Sequence, residues 1–401
     1  MADDDHGLAD DEWMAESADE LAAPYLLRLH DVMRSPTHLR AGISALMAFA
    51  ALWLGGCGTA PPREPPIDPD LARADIRARI PPAVANRDGW AIDMFAAFEA
   101  LGVRPDTHNI CAVVAVIQQE SGFQVDPVVP GLPVMARREI DERAAGYHIP
   151  GAVVGLALNV RSPDGRSYAE RLRQARTERA LSDMFEDFIG AVPLGRRLFA
   201  DLNPVRTGGP MQVGIAFAES HVKTRPYPYP LTDGVRREVF TRRGGLYFGI
   251  AHLLDYPVSY DSMLYRFADF NAGHYASRNA AFQQAVSSLT GTRLAIDGDL
   301  LREGSNEPSQ TELAVRRLGL GLDERQIRRD LERGTELAFE ETELYREVFE
   351  RADARGATPR ALVPSIRLQS VKISRKLTTD WFARRVDDRY RRCLQIPTEG
   401  R

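Results

Sequence analysis

A single carboxylate, Glu120, closes a strongly apolar stretch and is followed at once by Ser121, Gly122 and Phe123. The residues before it, Ile110 to Ile117, carry no charged or amide side chain, which predicts a short helix buried on every face. Thr107 or Asn109 supplies a capping side chain at its start, and Gly122 suits the left-handed residue that ends a helix. Burial and the negative end of the helix dipole both disfavour a charged carboxylate at that position. Each raises its pKa, as a general acid working near neutral pH requires. The plainer reading is a carboxylate at a helix end, exposed or paired with an arginine.

Other residue types offer less. His108, His221, His252 and His274 lack metal-ligand spacing, and none of the three cysteines (Cys57, Cys111, Cys393) forms a Cys-x-x-Cys step, so no metal is expected. Arg243-Gly244-Gly245 lacks the Lys-Ser/Thr of a phosphate loop. No cofactor is implied. The net charge of −5 hides an asymmetry: residues 1–32 hold ten acidic residues and one arginine, so the remainder is slightly basic. The only lysines are Lys223, Lys372 and Lys376, and no Lys/Arg block is dense enough to argue for nucleic acid.

Four separated segments resemble one family. Glu120-Ser121-Gly122-Phe123 is similar to the Glu-Ser signature of the soluble lytic transglycosylases, relatives of goose-type lysozyme. Gly209-Pro210-Met211-Gln212-Val213 resembles their Gly-Leu-Met-Gln-(Ile/Val) motif, with Pro in place of Leu. Asp269-Phe270-Asn271-Ala272-Gly273 resembles Ala-Tyr-Asn-Ala-Gly with two substitutions, and Glu341-Thr342-Glu343-Leu344-Tyr345 resembles Glu-Thr-x-x-Tyr. Between them, Gly245 to Gly249 and His252-Leu253 fit the family's intervening helix. The likeness covers about 107–126 and 209–350. The long gap between the first two motifs departs from the family, and Phe270 lacks the hydroxyl of the usual tyrosine. A group of proteobacterial lipoproteins known only as a domain of unknown function fits the long insertion.

What the resemblance implies is an all-α, lysozyme-like helical domain that cleaves the bond between N-acetylmuramic acid and N-acetylglucosamine in peptidoglycan. Glu120 acts first as acid and then as base, and the muramic 6-hydroxyl replaces water, closing a 1,6-anhydro ring. Ser121 and Tyr345 orient acid or substrate, Met211 and Gln212 line the sugar site, and Asn271 bonds substrate. Gly209, Ala272 and Gly273 let backbones approach closely, and Phe270 replaces the motif's aromatic residue. Core packing is the plainer reading of Met211 and Phe270, and a turn or cap that of Gln212 and Asn271. Two rival functions stand beside this one. A hydrolase on the same fold would use water activated by Asp126 or Glu219, and a non-catalytic glycan-binding envelope protein would have its groove filled by the insertion.

The elements that must position these residues are helical almost throughout. Residues 33–56 read as a lipoprotein signal: a basic start, an apolar run from Ala41 to Leu54, and Leu54-Gly55-Gly56-Cys57, similar to a bacterial lipobox. Cleavage before Cys57 and lipidation of its thiol follow, with Gly58 favouring the periplasmic face of the outer membrane. A signal belongs at the true N-terminus, so residues 1–32 read as a mis-assigned leader. A Pro-rich linker spans 57–72 and the enzyme domain 73–401. Within it, Trp90, Met94, Phe95, Phe98 and Leu101 form one helix face closed by Gly102. The insertion, about 127–208, contains a helix from about Ser167 to Val192, and it should pack beside the groove. Further helices are expected over 244–254, 262–270, 279–289, 326–354 and 374–393, with one weak strand at 366–371. Residues from about 355 read as a C-terminal tail, rich in Arg. The two cysteines left after lipidation, Cys111 and Cys393, either bridge in an oxidising compartment or leave Cys111 a small buried hydrophobe.

Overall fold

The apolar run does form a helix, Thr107–Glu120, and its eight residues Ile110 to Ile117 are almost fully buried. The structure, a computed structural model, describes residues 67–191, 197, 202–367 and 377–397. Among the described residues it is mostly helical, with 61% helix and 3% strand. The acidic leader, the signal segment and Cys57 lie outside the described residues.

In chain order the described helices begin with α1 (Pro69–Arg79), α2 (Arg87–Leu101) and α3 (Thr107–Glu120). The insertion holds α4 (Leu132–Gly146), α5 (Gly151–Leu158), α6 (Tyr168–Gln174) and α7 (Glu178–Gly190). A two-stranded antiparallel hairpin follows, β1 (Thr207–Gly208) and β2 (Val213–Gly214). Then come α8 (Ile215–Thr224), α9 (Gly234–Val239), α10 (Arg242–Leu254), α11 (Met263–Ala272) and α12 (Ala276–Thr290). The chain ends with α13 (Gln310–Arg316), α14 (Glu324–Glu332), α15 (Glu343–Asp353) and α16 (Thr379–Leu394).

Two cores result. The larger joins α1–α3, the insertion, the hairpin, α10, α11 and α16; the smaller is built by α12–α15. Arg278, fully buried at the start of α12, links α12 to the smaller core's turns. Its guanidinium donates to the carbonyls of Gly334 at 2.6 Å and Glu336 at 2.7 Å, and it sits over the rings of Tyr275 and Phe339. Buried charge needs such a full set of acceptors.

Several expectations are corrected. Helix α1 starts at Pro69, inside the expected linker, because Asp68 accepts from the amides of Asp70 and Leu71 and caps it. Asp106, not Thr107 or Asn109, caps α3, accepting from the Asn109 amide at 2.8 Å. The single helix expected over 167–192 is two, broken at Ala175 to Thr177. There the Arg176 carbonyl is taken by the Val129 amide at 2.9 Å, and the Thr177 hydroxyl caps α7. The helix expected over 326–354 is also two. Arg278 takes the Gly334 and Glu336 carbonyls that a continuous helix would have used, leaving two 3₁₀ turns and a fresh start capped by Thr342. Of the expected strand at 366–371, Arg367 makes an isolated bridge to Thr378, and residues 368–371 lie outside the described residues.

The largest correction is at the C-terminus. The helix expected over 374–393 is present as α16, but it is core rather than tail: its Phe382, Ala383, Val386 and Tyr390 are buried in the larger core against α3 and α11. Its arginines occupy the other face, so composition concealed a narrow apolar stripe.

Candidate functional site

Cys111 and Cys393 form a disulfide, with Cα atoms 5.5 Å apart. Around it, buried Arg79 donates to the Cys393 carbonyl at 2.9 Å and pairs with Asp75 at 3.0 Å. The His108 ring and the Tyr390 hydroxyl meet at 2.6 Å. These contacts join the start of α3 to the end of α16. Helix α16 stops at Leu394, one residue past Cys393, whereas α3 continues nine residues past Cys111. Since the two helices pack along each other, α3 runs back along α16, antiparallel to it. Its last residue, Glu120, therefore points toward the N-terminal end of α16.

Helix α11 takes the same direction. Phe267 meets Tyr390 edge to face at 5.6 Å, and further on Asn271 Oδ1 accepts from the Thr379 hydroxyl at 2.9 Å. Asn271 is exposed, while Thr379 is fully buried in the first turn of α16. Two of the motif segments thus end at one end of α16.

Helix α10 carries the third. Gly245, Gly249 and His252 share one of its faces at spacings of four and three. A Cβ on Gly249 would collide with Met211, so only glycine admits that buried thioether. Gly209, at φ +72°, faces the Val239 carbonyl just as closely. One turn along α10, the His252 ring lies 5.1 Å from that of Phe270 and donates from Nε2 to the Phe270 carbonyl at 3.2 Å. Met211 and Phe270 are both buried, so each packs as core while its neighbours Gln212 and Asn271 are more open.

Around Glu120 the chain is bent sharply. Glu120 is half-buried, and Ser121 donates its hydroxyl back to the Ile117 carbonyl at 3.2 Å. Phe123, at φ 65°, packs edge to face on Trp90 at 5.1 Å. Gln212 has φ 50° and is tied into the hairpin turn, donating to the Gly209 carbonyl at 3.2 Å and accepting from the Thr207 hydroxyl at 3.3 Å. Tyr275, at φ 64°, follows Gly273. Of the five non-glycine residues with positive φ among those described, three fall in or beside motif segments. Such strain tends to gather at functional sites.

Tyr345 is elsewhere, buried in the smaller core against Phe282, Phe339 and Phe349. Ala272, half-buried, is the last residue of α11, where Gly273 at φ 106° caps the helix. Asp126 bonds Thr177 and the Arg179 backbone at the start of α7, and burial holds its carboxyl above the ordinary value. Glu219 is exposed on α8.

A buried polar cluster went unnoticed in the sequence. Asp269 is fully buried and accepts from the hydroxyls of Tyr256 (3.2 Å) and Tyr260 and from the Ser277 amide (2.7 Å). Burial pushes its carboxyl up, while these donors pull it down. His274 stacks on Tyr256 at 3.9 Å and donates to the His252 carbonyl at 2.7 Å. With Nε2 donating, His252 keeps a bare Nδ1, which is buried with no hydrogen-bond partner. Burial, then neighbouring His274, lower its pKa to about 3. The signal was available in outline: Asp269 stands where the transglycosylase motif that the segment resembles has alanine. No group of three metal-ligating side chains occurs among the described residues.

Comparison with known proteins gives a family without an assigned activity. A curated relative, "Uncharacterized protein YaiW" of Escherichia coli (strain K12), is 52% identical over 362 residues, covering 88% of this chain and 98% of the relative. No solved structure matches the chain. The family described as "Protein of unknown function (DUF1615)" matches residues 83–396, and this chain belongs to it.

Proposed function

We propose that the protein is a peptidoglycan lytic transglycosylase with a lysozyme-like fold. The observation that carries this reading is the shared direction of α3 and α11, whose C-terminal ends carry Glu120 and Asn271 toward the N-terminal end of α16. The strained backbone at Phe123, Gln212 and Tyr275 supports it. In this reading Glu120 gives its proton to the glycosidic oxygen as the bond to muramic C1 breaks, leaving an oxocarbenium-like centre. The muramic 6-hydroxyl then attacks C1, and the Glu120 carboxylate takes the proton it releases. The ring closes with no water consumed. Asn271, held by Thr379, positions the sugar. The protein works at the periplasmic face of the outer membrane, anchored by a lipid on Cys57.

Digestion of purified peptidoglycan, followed by mass analysis, tests the reaction. Anhydro ends, one water lighter than reducing ends, are expected. Reducing ends would make it a hydrolase, and intact strands retained on the protein would make it a binding protein.

A further inference from the structure

Ten large apolar side chains are exposed among the described residues, and seven of them lie between Val128 and Val160, in the insertion. Helix α5 concentrates them. Its Val154 and Leu158 face the core, while Val153 and Leu156 are 49% and 73% exposed on the other side. Tyr147 (64%) and Ile149 stand beside them in the approach to α5, and Val160 just beyond it. Ala145 to Val153 are nine consecutive exposed residues. Ala144 to Val160 contain no Asp, Glu, Lys or Arg, in a chain that is 27% charged. Seventeen residues of average composition would hold about four or five charges, so this surface is selectively uncharged. A contiguous exposed apolar surface marks an interaction site.

The occupant follows from the tether and from the rim charges. Nine residues lie between Cys57 and Ile67, a reach of about 35 Å when fully extended. An anchored domain therefore stays close to the bilayer, and a modest apolar surface suffices to dock it. This step rests on the lipid-anchor reading above. Helix α5 has eight residues, too few to span a membrane and enough to lie in its interface. The rim carries little net charge: Arg143 pairs with Glu139 at 2.8 Å and Arg166 with Asp164, while exposed Arg161 donates to the Gly165 carbonyl at 3.1 Å. One such arginine is too little to make anionic lipid a requirement.

We propose that the segment Tyr147–Val160 is a membrane-docking knob, its apolar side chains seated among lipid headgroups and the first acyl carbons. The test places an indole on the knob by Leu156→Trp in the full chain bound to phosphatidylcholine vesicles with brominated acyl chains, subtracting the signal of the parent chain. Leu71→Trp, at an isolated exposed leucine on α1, is the control. Quenching of at least about twofold at 156 and none at 71 is expected, unchanged by adding phosphatidylglycerol or salt. Equal quenching at the two positions overturns the proposal. So does an indole at 156 shielded from aqueous acrylamide in proportion to protein concentration without quenching by lipid, which would make the occupant a second copy. The Cys57→Ser chain, added to preformed vesicles, separates knob from anchor. Quenching that persists there, or returns only at higher vesicle concentration, supports the knob. If the unmodified Cys57 chain carries no lipid and position 156 is still quenched, the anchor reading fails alone.

Discussion

Thr379 and Asn271 share a hydrogen bond of 2.9 Å, from a buried hydroxyl to an exposed amide side chain. It ties the last described helix, α16, to the end of α11. Thr379→Val keeps the shape and removes the donor. The fold should lose only about 0.5–1.5 kcal/mol. If Asn271 positions the sugar, turnover on peptidoglycan should fall roughly ten- to a hundredfold, because small misplacements of a positioning group are costly. Unchanged turnover with Asn271→Ala inactive would show that the bond is structural only.

Glu120→Gln should leave the circular-dichroism spectrum and thermal midpoint close to those of the parent while abolishing glycan cleavage. Gln matches Glu in shape but has no proton to give. Loss of a general acid costs about 10²–10⁴-fold, and more where the same group also serves as base. Near-parental release of anhydro products from the variant would remove Glu120 from the reaction.

Helix α3 was legible because eight apolar residues in a row, with a carboxylate and a glycine behind them, have few other uses. The stripe of α2 was equally clear from Trp90, Met94, Phe95, Phe98 and Leu101. Long-range claims on backbone groups were not legible. Nothing local in Gln326 to Ala354 shows that Arg278 will take the carbonyls of Gly334 and Glu336. Nothing near Arg176 shows that the Val129 amide will interrupt the helix there. The helix at α16 was legible but its burial was not: its arginines dominate the composition, while three large apolar residues, Phe382, Val386 and Tyr390, set its burial. At the candidate site Glu120, Gln212 and Asn271 were named from motif likeness, whereas the Asp269 cluster needed Tyr256 and Tyr260 brought to it through space.

The disulfide closes a sequence separation of 282 residues. Replacing Cys111 and Cys393 together by Ala should lower the unfolding free energy by about 2–5 kcal/mol. Urea titrations with and without a reductant measure this. Reductant should shift the parent midpoint and leave that of the double variant unmoved. Equal midpoints for the oxidised parent and the variant would show that the bridge contributes nothing.

His252 gives a signed pH dependence. Its pKa is about 3 in the folded chain, against about 6.5 in an unfolded one. The unfolded state therefore binds the extra proton between those values, and stability falls as pH drops through that window. The contribution is complete above about pH 6.5. His252→Gln keeps a donor for the Phe270 carbonyl and removes the titration. The difference in stability between parent and variant should thus shrink as pH falls from 7 to 4, measured by urea unfolding at each pH. A difference independent of pH would mean that His252 is charged or solvated in the folded protein.

At Gly249, alanine would drive a methyl group into Met211, whose thioether is fully buried. Overpacking of this kind costs about 1–3 kcal/mol. The variant's thermal midpoint should fall, and pairing Gly249→Ala with Met211→Ala should recover part of the loss. Simple additivity of the two changes would show that the residues do not touch.

The buried position of α16 sets an order of events for biosynthesis. The apolar face of α3 is made well before its partner helix, whose first residue, Thr379, lies 259 positions after Glu120. Until residue 394 is available, Ile110 to Ile117 have no permanent cover on that side, and Cys111 has no partner. Folding of the larger core therefore waits on synthesis as far as α16. A product truncated before Thr379 would keep most of its helices yet expose the apolar face of α3, a form open to proteolytic removal.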